Sequence, residues 1–203
     1  HDKDYNENNN QHVFKYNENI HALYASMTFS LTDKLQSKAG IRFEQVLANV
    51  ILDTDENKTP NNYNRIYPSA HLAYLFNTYS SFKFAYSTRV NRPELKMLDS
   101  YQFSSLVDTV GNPDLKPEFV DAFEVGYILI QDKYKIDLNL YHHNIKNLIQ
   151  WYNDIDIVRY NNSGKGNLNG IDIMLKVSPL TFLDLTFSGN YYKSKIKNST
   201  ENY

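Results

Sequence analysis

The chain has 203 residues and a formal net charge of −2, so it carries neither a basic field for nucleic acid nor an acidic tail. It contains no cysteine, which excludes a disulfide scaffold, a thiolate metal site and a cysteine nucleophile. No apolar run approaches the length of a transmembrane helix, about 18 residues, but a membrane barrel also reads as polar because only every second strand residue meets lipid.

The first half of the chain contains four segments in which apolar and polar residues alternate, the period of a strand with one apolar face. In residues 18–31, Leu23 and Phe29 share one face while Ser26 and Thr28 share the other. The other three segments are residues 39–46, 69–76 and 81–90.

The second half repeats the pattern in residues 121–130, 135–143, 170–177 and 182–192. No segment keeps a helical period for three turns. The sequence therefore predicts an all-β chain, an antiparallel meander of about eight long strands, each long enough to cross a bilayer at a tilt.

The connections between these segments alternate between short and long. Four are tight turns with Asp, Asn, Ser or Pro, at residues 32–35, 77–80, 131–133 and 178–181. Three are long and polar, at residues 53–65, 91–120 and 144–169. This alternation places all short turns at one end of the sheet, as in outer-membrane barrels, although a soluble barrel or sandwich with its apolar face inward shows the same strand period.

Three ordered patterns surround the second long connection: Arg-x-x-Arg-Pro, then Gly-Asn-Pro-x-Leu-Lys-Pro-Glu, then Glu-x-Gly-Tyr. They resemble the barrel of TonB-dependent outer-membrane receptors, especially the large barrel family abundant in Bacteroidota. Weaker similarities follow in residues 39–45, 66–74 and 161–175, where Asp172 replaces the usual Glu. The residues that fill the three patterns are Arg89, Arg92, Pro93, Gly111, Asn112, Pro113, Leu115, Lys116, Pro117, Glu118, Glu124, Gly126 and Tyr127.

The resemblance implies a transport receptor in the bacterial outer membrane rather than an enzyme. Such a receptor binds a nutrient outside the cell and admits it when its plug is rearranged by the energised inner-membrane complex. The implied partners are outer-membrane lipid, the plug domain of the same receptor, the TonB energising complex and an unidentified nutrient, with no cofactor and no nucleic acid. The complete barrel would have about 22 strands around an N-terminal plug.

The stretch from Gly111 to Tyr127 joins a segment rich in helix breakers to a regular strand. Pro113 and Pro117 fix φ and disfavour helix at the residues before them, so the chain enters the barrel extended. Gly111 allows the preceding turn. We interpret the stretch as a rigid segment that starts the strand in register, with Glu124 pointing into the lumen.

The loop asymmetry also predicts the direction of the strands. If the short turns are periplasmic, the first strand starts outside the cell and the last strand ends there. Complete outer-membrane barrels ordinarily keep both termini in the periplasm. We therefore expect residues 1–203 to be a single barrel segment, an internal portion of a larger receptor barrel without its plug domain.

The sequence offers little support for catalysis or metal binding. His142 and His143 are adjacent on a strand and face opposite sides, and the acidic stretch 53–57 lacks the Gly and distal Glu of a calcium loop. No Ser, His and Asp set has the local context of a hydrolase. The prediction is no catalytic residue and no metal site.

Substrate contacts can be assigned only as candidates. On the lumen face they are Arg42, Glu44, Arg89 and Glu124, within a mixed-charge wall that also holds Lys83, Asp137, Asp172 and Lys176. In the long loops they are the aromatic residues Tyr101, Phe103, Trp151 and Tyr152. Two alternatives to a receptor stay open: a small structural or adhesin-like outer-membrane barrel without transport, and a soluble ligand-binding β-barrel.

Overall fold

The computed structural model describes residues 14–52, 55–100, 108–154 and 157–198. They form ten strands and one short helix. In chain order these are β1 (Phe14–Thr32), β2 (Leu35–Leu52), β3 (Asp55–Pro60), β4 (Tyr63–Leu75), β5 (Ser80–Asn91), α1 (Leu95–Leu98), β6 (Asp108–Val110), β7 (Glu118–Gln131), β8 (Tyr134–Asp154), β9 (Ile157–Leu180) and β10 (Leu183–Asn198).

All ten strands belong to one sheet. Eight long strands follow each other as antiparallel neighbours in the order β1, β2, β4, β5, β7, β8, β9, β10. The short β3 pairs with β2, and the short β6 lies parallel to β9. The predicted all-β meander of eight long strands is confirmed.

The short connections lie together at one end of the sheet, as predicted. In the β1–β2 turn the Thr32 hydroxyl accepts hydrogen bonds from the Lys34 and Leu35 amides, at 3.3 and 3.0 Å. In the β4–β5 turn the side-chain oxygen of Asn77 accepts hydrogen bonds from the backbone amides of Tyr79 and Ser80, at 2.9 Å each. These side chains close the turns by binding backbone N–H groups that the ladder leaves unpaired.

The prediction that residues 144–169 form a third long connection is wrong. Strand β8 continues to Asp154 and pairs with β9 from Ile157 onward, across a bulge at Asn147, whose φ is 55°. Within the first predicted loop, 53–65, β3 likewise folds back on β2. These extensions carry polar residues on both faces, so they lack the apolar alternation by which a strand is recognised in sequence.

The two faces of the sheet differ in polarity along its whole width. One cross-strand row on the first face reads Phe29, Ser37, Leu72, Phe84, Val125, Leu140, Ile171 and Tyr191. The adjacent row on the other face reads Thr28, Lys38, His71, Ala85, Glu124, Tyr141, Gly170 and Tyr192. The apolar face is exposed, with Val125 and Leu140 at 46% and 48%.

The polar face is the concave one. A cavity of about 850 Å³ is lined by residues of all eight long strands, from Thr28 on β1 to Asn190 on β10, and by polar-face side chains such as Lys83 and Glu124. The apolar face is therefore convex and turned outward, which contradicts the alternative of a soluble barrel with an apolar interior. No helix within the described ranges is long and apolar enough to cross a membrane.

The outward apolar band has the height expected for a bilayer wall. On β1 it runs from Leu23 to Leu31, which at about 3.3 Å per residue and a tilt of about 40° spans roughly 20 Å, close to the apolar band of outer-membrane barrels. Ser26, Thr28 and Ser30 alternate with these residues on the concave face.

The buried core lies above this band, on the concave side. Val46, Ala48 and Val50 of β2 are at most 2% exposed. They are covered by the segment between β5 and β7, of which Leu98 and Leu115 are 2% and 0% exposed. We call the described part of this segment, residues 92–100 and 108–117, the inward loop.

Candidate functional site in the lumen wall and inward loop

One end of the inward loop is anchored by an ion-pair cluster. The Arg92 guanidinium lies 2.8 Å from a Glu44 carboxylate oxygen and 3.2 Å from Glu18, on β2 and β1. Arg42 binds the other Glu44 oxygen at 2.6 Å. The Glu44 side chain is only 4% exposed, so its charge is balanced by guanidinium groups rather than by water.

Tyr16 and Tyr63 lie beside this cluster, above the outward band. Burial first, and then the Glu18 carboxylate, raise the pKa of Tyr16 to about 12. Burial alone would lower the pKa of the Arg92 guanidinium, but Tyr63, Glu44 and Glu18 together raise it. The cluster therefore holds Arg92 charged and Tyr16 neutral.

The other end of the inward loop is held to β9 by paired amide groups. The Asn162 side chain accepts a hydrogen bond from the Lys116 amide at 2.8 Å and donates to the Lys116 carbonyl at 2.9 Å. It also donates to the Asn147 carbonyl at the β8 bulge, at 2.8 Å. The Asn61 side chain donates to the Leu115 carbonyl from the opposite side. The segment before β7 is therefore fixed between β9 and the β3–β4 connection.

Gly111 joins the two halves of the inward loop by close packing. Its amide donates to the Asp99 carbonyl at 2.8 Å, and the Asn112 amide donates to the Met97 carbonyl at 2.6 Å. A Cβ at position 111 would lie 2.3 Å from the Asp99 carbonyl oxygen. No glycine in the described residues has a positive φ, so the requirement here is space and not a left-handed backbone.

Glu118 closes the base of the inward loop where β7 begins. Its carboxylate accepts a hydrogen bond from the Ile149 amide at 2.8 Å and from the Asn91 side chain at 3.3 Å. Leu115 packs in the buried cluster with Leu98 and Val50. Pro93, Pro113 and Pro117 lie in the same loop, so the residues that carry the family patterns from Arg92 to Glu118 build one folded unit.

The remaining pattern residues lie on the wall of β5 and β7. Arg89 binds Glu124 at 3.1 Å on the concave face. Gly126 stands opposite Asn139, and a Cβ there would meet only ordinary contacts, the nearest at 3.5 Å. Tyr127 lies on the outward face, where its ring is 5.0 Å from that of Phe82.

The structure brings the lumen candidates to one concave face but divides them into two groups. Arg42 and Glu44 belong to the anchor of the inward loop, and Glu44 is closed off from the lumen. Arg89 and Glu124 pair on the open wall, with side chains 57% and 30% exposed, and Glu124 lines the cavity. The other wall residues on this face are Lys83, Asp137, Asp172 and Lys176.

The aromatic loop candidates lie in different places in the structure. Trp151 is 66% exposed and, beside Arg92 and Tyr160, lines a cavity of about 260 Å³ at the inward loop. Tyr152 is 46% exposed and stands opposite Arg159. Tyr101 and Phe103 lie outside the described residues.

Metal chemistry has no geometric support in the described residues. His142 lies on the outward face and binds the Asn169 side chain at 2.7 Å, while the ring of His143 packs beside Tyr141. No group of three His, Asp or Glu side chains within the described ranges could hold a metal ion. The acidic stretch 53–57 lies partly outside those ranges.

Sequence reasoning missed the residues that hold the inward loop. Glu18, Asn61, Asn162 and the tyrosines around Arg92 were not singled out. Asn162 and Lys116 are 46 positions apart, and Asn61 and Leu115 are 54 apart. No local pattern marks such partners, because only the sheet order brings them together.

A curved antiparallel sheet with a polar concave face and an exposed apolar belt defines the class of protein: the wall of a membrane β-barrel. A sequence model of the outer membrane protein beta-barrel family matches residues 1–203, so the chain belongs to that family. This confirms the predicted outer-membrane location and the outer-membrane barrel expected from the motifs. No curated protein matches the chain.

Solved structures share the fold at low sequence identity. The ferric yersiniabactin uptake receptor FyuA from Yersinia pestis has a TM-score of 0.70 and 13% identity, over 93% of this chain and 28% of that one. The ferric-catecholate import receptor Fiu from E. coli K12 has a TM-score of 0.67 and 17% identity, over 91% and 29%. The copper transporter OprC has a TM-score of 0.72 and 9% identity, over 88% and 29%. The chain spans less than a third of each.

Proposed function

We propose that this chain forms part of the barrel wall of a TonB-dependent receptor that imports a nutrient across the outer membrane. The observation that carries the proposal is the inward loop, which is anchored to the concave face of the wall by Arg92 and Asn162. A long loop folded into the lumen narrows the outer mouth of a barrel. A purely structural barrel has no need of such a constriction.

The solved structures of the same fold support an import role. FyuA is named as an uptake receptor, Fiu as an import receptor and OprC as a copper transporter. Two of these names specify a ferric complex, so metal chelates are the first substrate class to test. None of these proteins is an enzyme by its name, and we propose no catalytic role for this chain.

Substrate contact would fall to two surfaces. The first is the outer cavity beside the inward loop, where Trp151 offers an exposed aromatic face. The second is the lumen wall below it, where Arg89 and Glu124 form an exposed ion pair. Tyr152 and the undescribed Tyr101 and Phe103 are further loop candidates.

The small share of each solved receptor that the chain spans supports a proposal about the remaining parts of the protein. We propose that the chain is an internal segment of a barrel of about 22 strands, which would enclose a plug of the same protein. The energising complex would act on that plug, and outer-membrane lipid would cover the apolar belt. The mass of the native protein in an outer-membrane fraction tests this, since such a receptor requires roughly 600 residues or more.

Import is tested in cells that carry or lack the full-length gene. Uptake of radiolabelled metal chelates is measured with and without a protonophore, beside growth under iron or copper limitation. We expect uptake of at least one chelate that requires both the gene and the energised inner membrane. A native species near 200 residues, or uptake of every chelate regardless of energy, would favour a structural or adhesin-like barrel.

A further inference from the structure

The outward face of β8, β9 and β10 changes from apolar to basic within one row of residues. Below the change, the rows Leu138–Ile173–Gly189 and Leu140–Ile171–Tyr191 belong to the lipid-facing band. The next three rows on the same face are His142–Asn169–Lys193, Asn144–Asn167–Lys195 and Lys146–Lys165–Lys197. Five lysines therefore stand on one surface, and we call them the lysine patch: Lys146, Lys165, Lys193, Lys195 and Lys197.

The uppermost row places three like charges side by side. Lys165 is the direct cross-strand partner of both Lys146 and Lys197. Neighbouring strands are about 4.8 Å apart, so the three side chains start within about 10 Å of each other. Like charges directly opposite each other in a sheet destabilise it. An external anion beside the row would relieve this repulsion.

Among the described residues, an acidic side chain neutralises only one of the five lysines. Lys146 binds Asp121 at 2.8 Å, on the same outward face. The side chains of Lys165, Lys193, Lys195 and Lys197 are exposed, and none of them makes an ion pair or a side-chain hydrogen bond with another described residue. The asparagines between them, Asn144 and Asn167, add amide groups that can bind oxygen acceptors.

Protection of a sheet edge explains only part of the patch. Lysines on an edge strand prevent pairing with other chains, and β10 has one unpaired edge among the described strands. Lys146 and Lys165, however, lie on β8 and β9, which are paired on both sides. Their charge does not protect an edge strand from pairing with other chains. The patch is therefore a surface feature that crosses three strands.

The position of the patch identifies its partner. It continues the lipid-facing band upward, at the end of the sheet that carries the long connections, which is the extracellular end of an outer-membrane barrel. Side chains at this level meet the headgroups of the outer leaflet. Basic residues beside a lipid face attract anionic headgroups. We propose that the lysine patch binds the phosphate groups of an outer-leaflet glycolipid, with Asn144 and Asn167 binding its sugar or phosphate oxygens.

The test uses the purified full-length protein in detergent and measures retained glycolipid by native mass spectrometry. The probes are diphosphorylated lipid A and the same lipid with both phosphates removed. Each lysine near an anionic surface contributes about fivefold to binding, so Lys165→Gln with Lys197→Gln should weaken retention of the phosphorylated lipid by roughly 30-fold. Retention of the dephosphorylated lipid should be low and the same in both proteins.

Two further variants control for charge and folding. Lys34→Gln with Lys133→Gln removes the same charge at the opposite end of the sheet and should leave retention unchanged. Lys165→Arg with Lys197→Arg keeps the charge and should retain the lipid. Equal loss in the control pair, equal binding of the dephosphorylated lipid, or displacement by millimolar inorganic phosphate would overturn the assignment to a lipid headgroup.

Discussion

Replacing Arg92 with methionine should release the inward loop while leaving the barrel wall folded. Methionine keeps most of the apolar stem and removes the guanidinium, which lies 2.8 Å from Glu44 and 3.2 Å from Glu18. Glu44 is 4% exposed, so its carboxylate cannot regain water without movement of the loop.

The magnitude follows from burial and from the remaining partner. Breaking a fully buried ion pair costs about 3–5 kcal/mol. Arg42 still binds Glu44, and the Arg92 side chain is 27% exposed. We therefore expect the free energy of local opening of the inward loop to be about 2–3 kcal/mol lower in the variant than in the unmodified protein. Since about 1.4 kcal/mol is a factor of ten, the loop amides should exchange roughly 30- to 150-fold faster.

Hydrogen exchange of the full-length protein in detergent measures this directly, through peptides covering residues 95–100 and 108–117. The matched control is Arg89→Met, which removes a neighbouring guanidinium that is 57% exposed and pairs with Glu124 on the open wall. An exposed pair contributes about 0–1 kcal/mol, so its loop exchange should stay close to that of the unmodified protein. Equal exchange in the two variants would refute the argument that Arg92 anchors the loop.

Three further changes probe the same unit. Gly111→Ala should open the inward loop, because its Cβ would lie 2.3 Å from the Asp99 carbonyl oxygen. Gly189→Ala is the control, because a Cβ there meets nothing within 4 Å. The rate of protease cleavage within residues 92–117 compares the two variants. Leu115→Ala should cost about 2–5 kcal/mol of local stability, read from exchange of the 108–117 peptides. Burial raises the pKa of Tyr16 to about 12, above its unfolded value, so its contribution to stability is complete below about pH 10 and is lost as the pH rises through about 12. The midpoint temperature of thermal unfolding should therefore fall less steeply between pH 9 and 12 in Tyr16→Phe than in the unmodified protein. An unchanged slope would contradict this assignment.

The strands within the membrane band could be predicted because lipid on one side and a polar lumen on the other impose a period of two. Phe84 and Val125 fall on the outward face and Lys83 and Glu124 on the inward face, as their alternation indicates. The tight turns were equally local, since Thr32 and Asn77 bind amides no more than three residues away.

The extensions above the band could not be recognised in the same way. Residues 144–154 and 157–169 are strands with polar residues on both faces, so they lack the apolar alternation that marks a strand in the sequence. Their pairing depends on the hairpin that begins inside the membrane. The lysine patch was hidden for the same reason, because Lys146, Lys165 and Lys197 are far apart in sequence and meet only through register.

By itself, the sequence determined the strand period, the polarity of each face and the ordered motifs that indicate an outer-membrane receptor barrel, because each depends on neighbouring residues and on the solvent they meet. Only the tertiary structure decided that the motif from Arg92 to Glu118 folds back over the concave face, with Glu44, Asn61 and Asn162 as its anchors. Those contacts join residues 46 to 54 positions apart, and the distance between them is set by the order and curvature of the sheet.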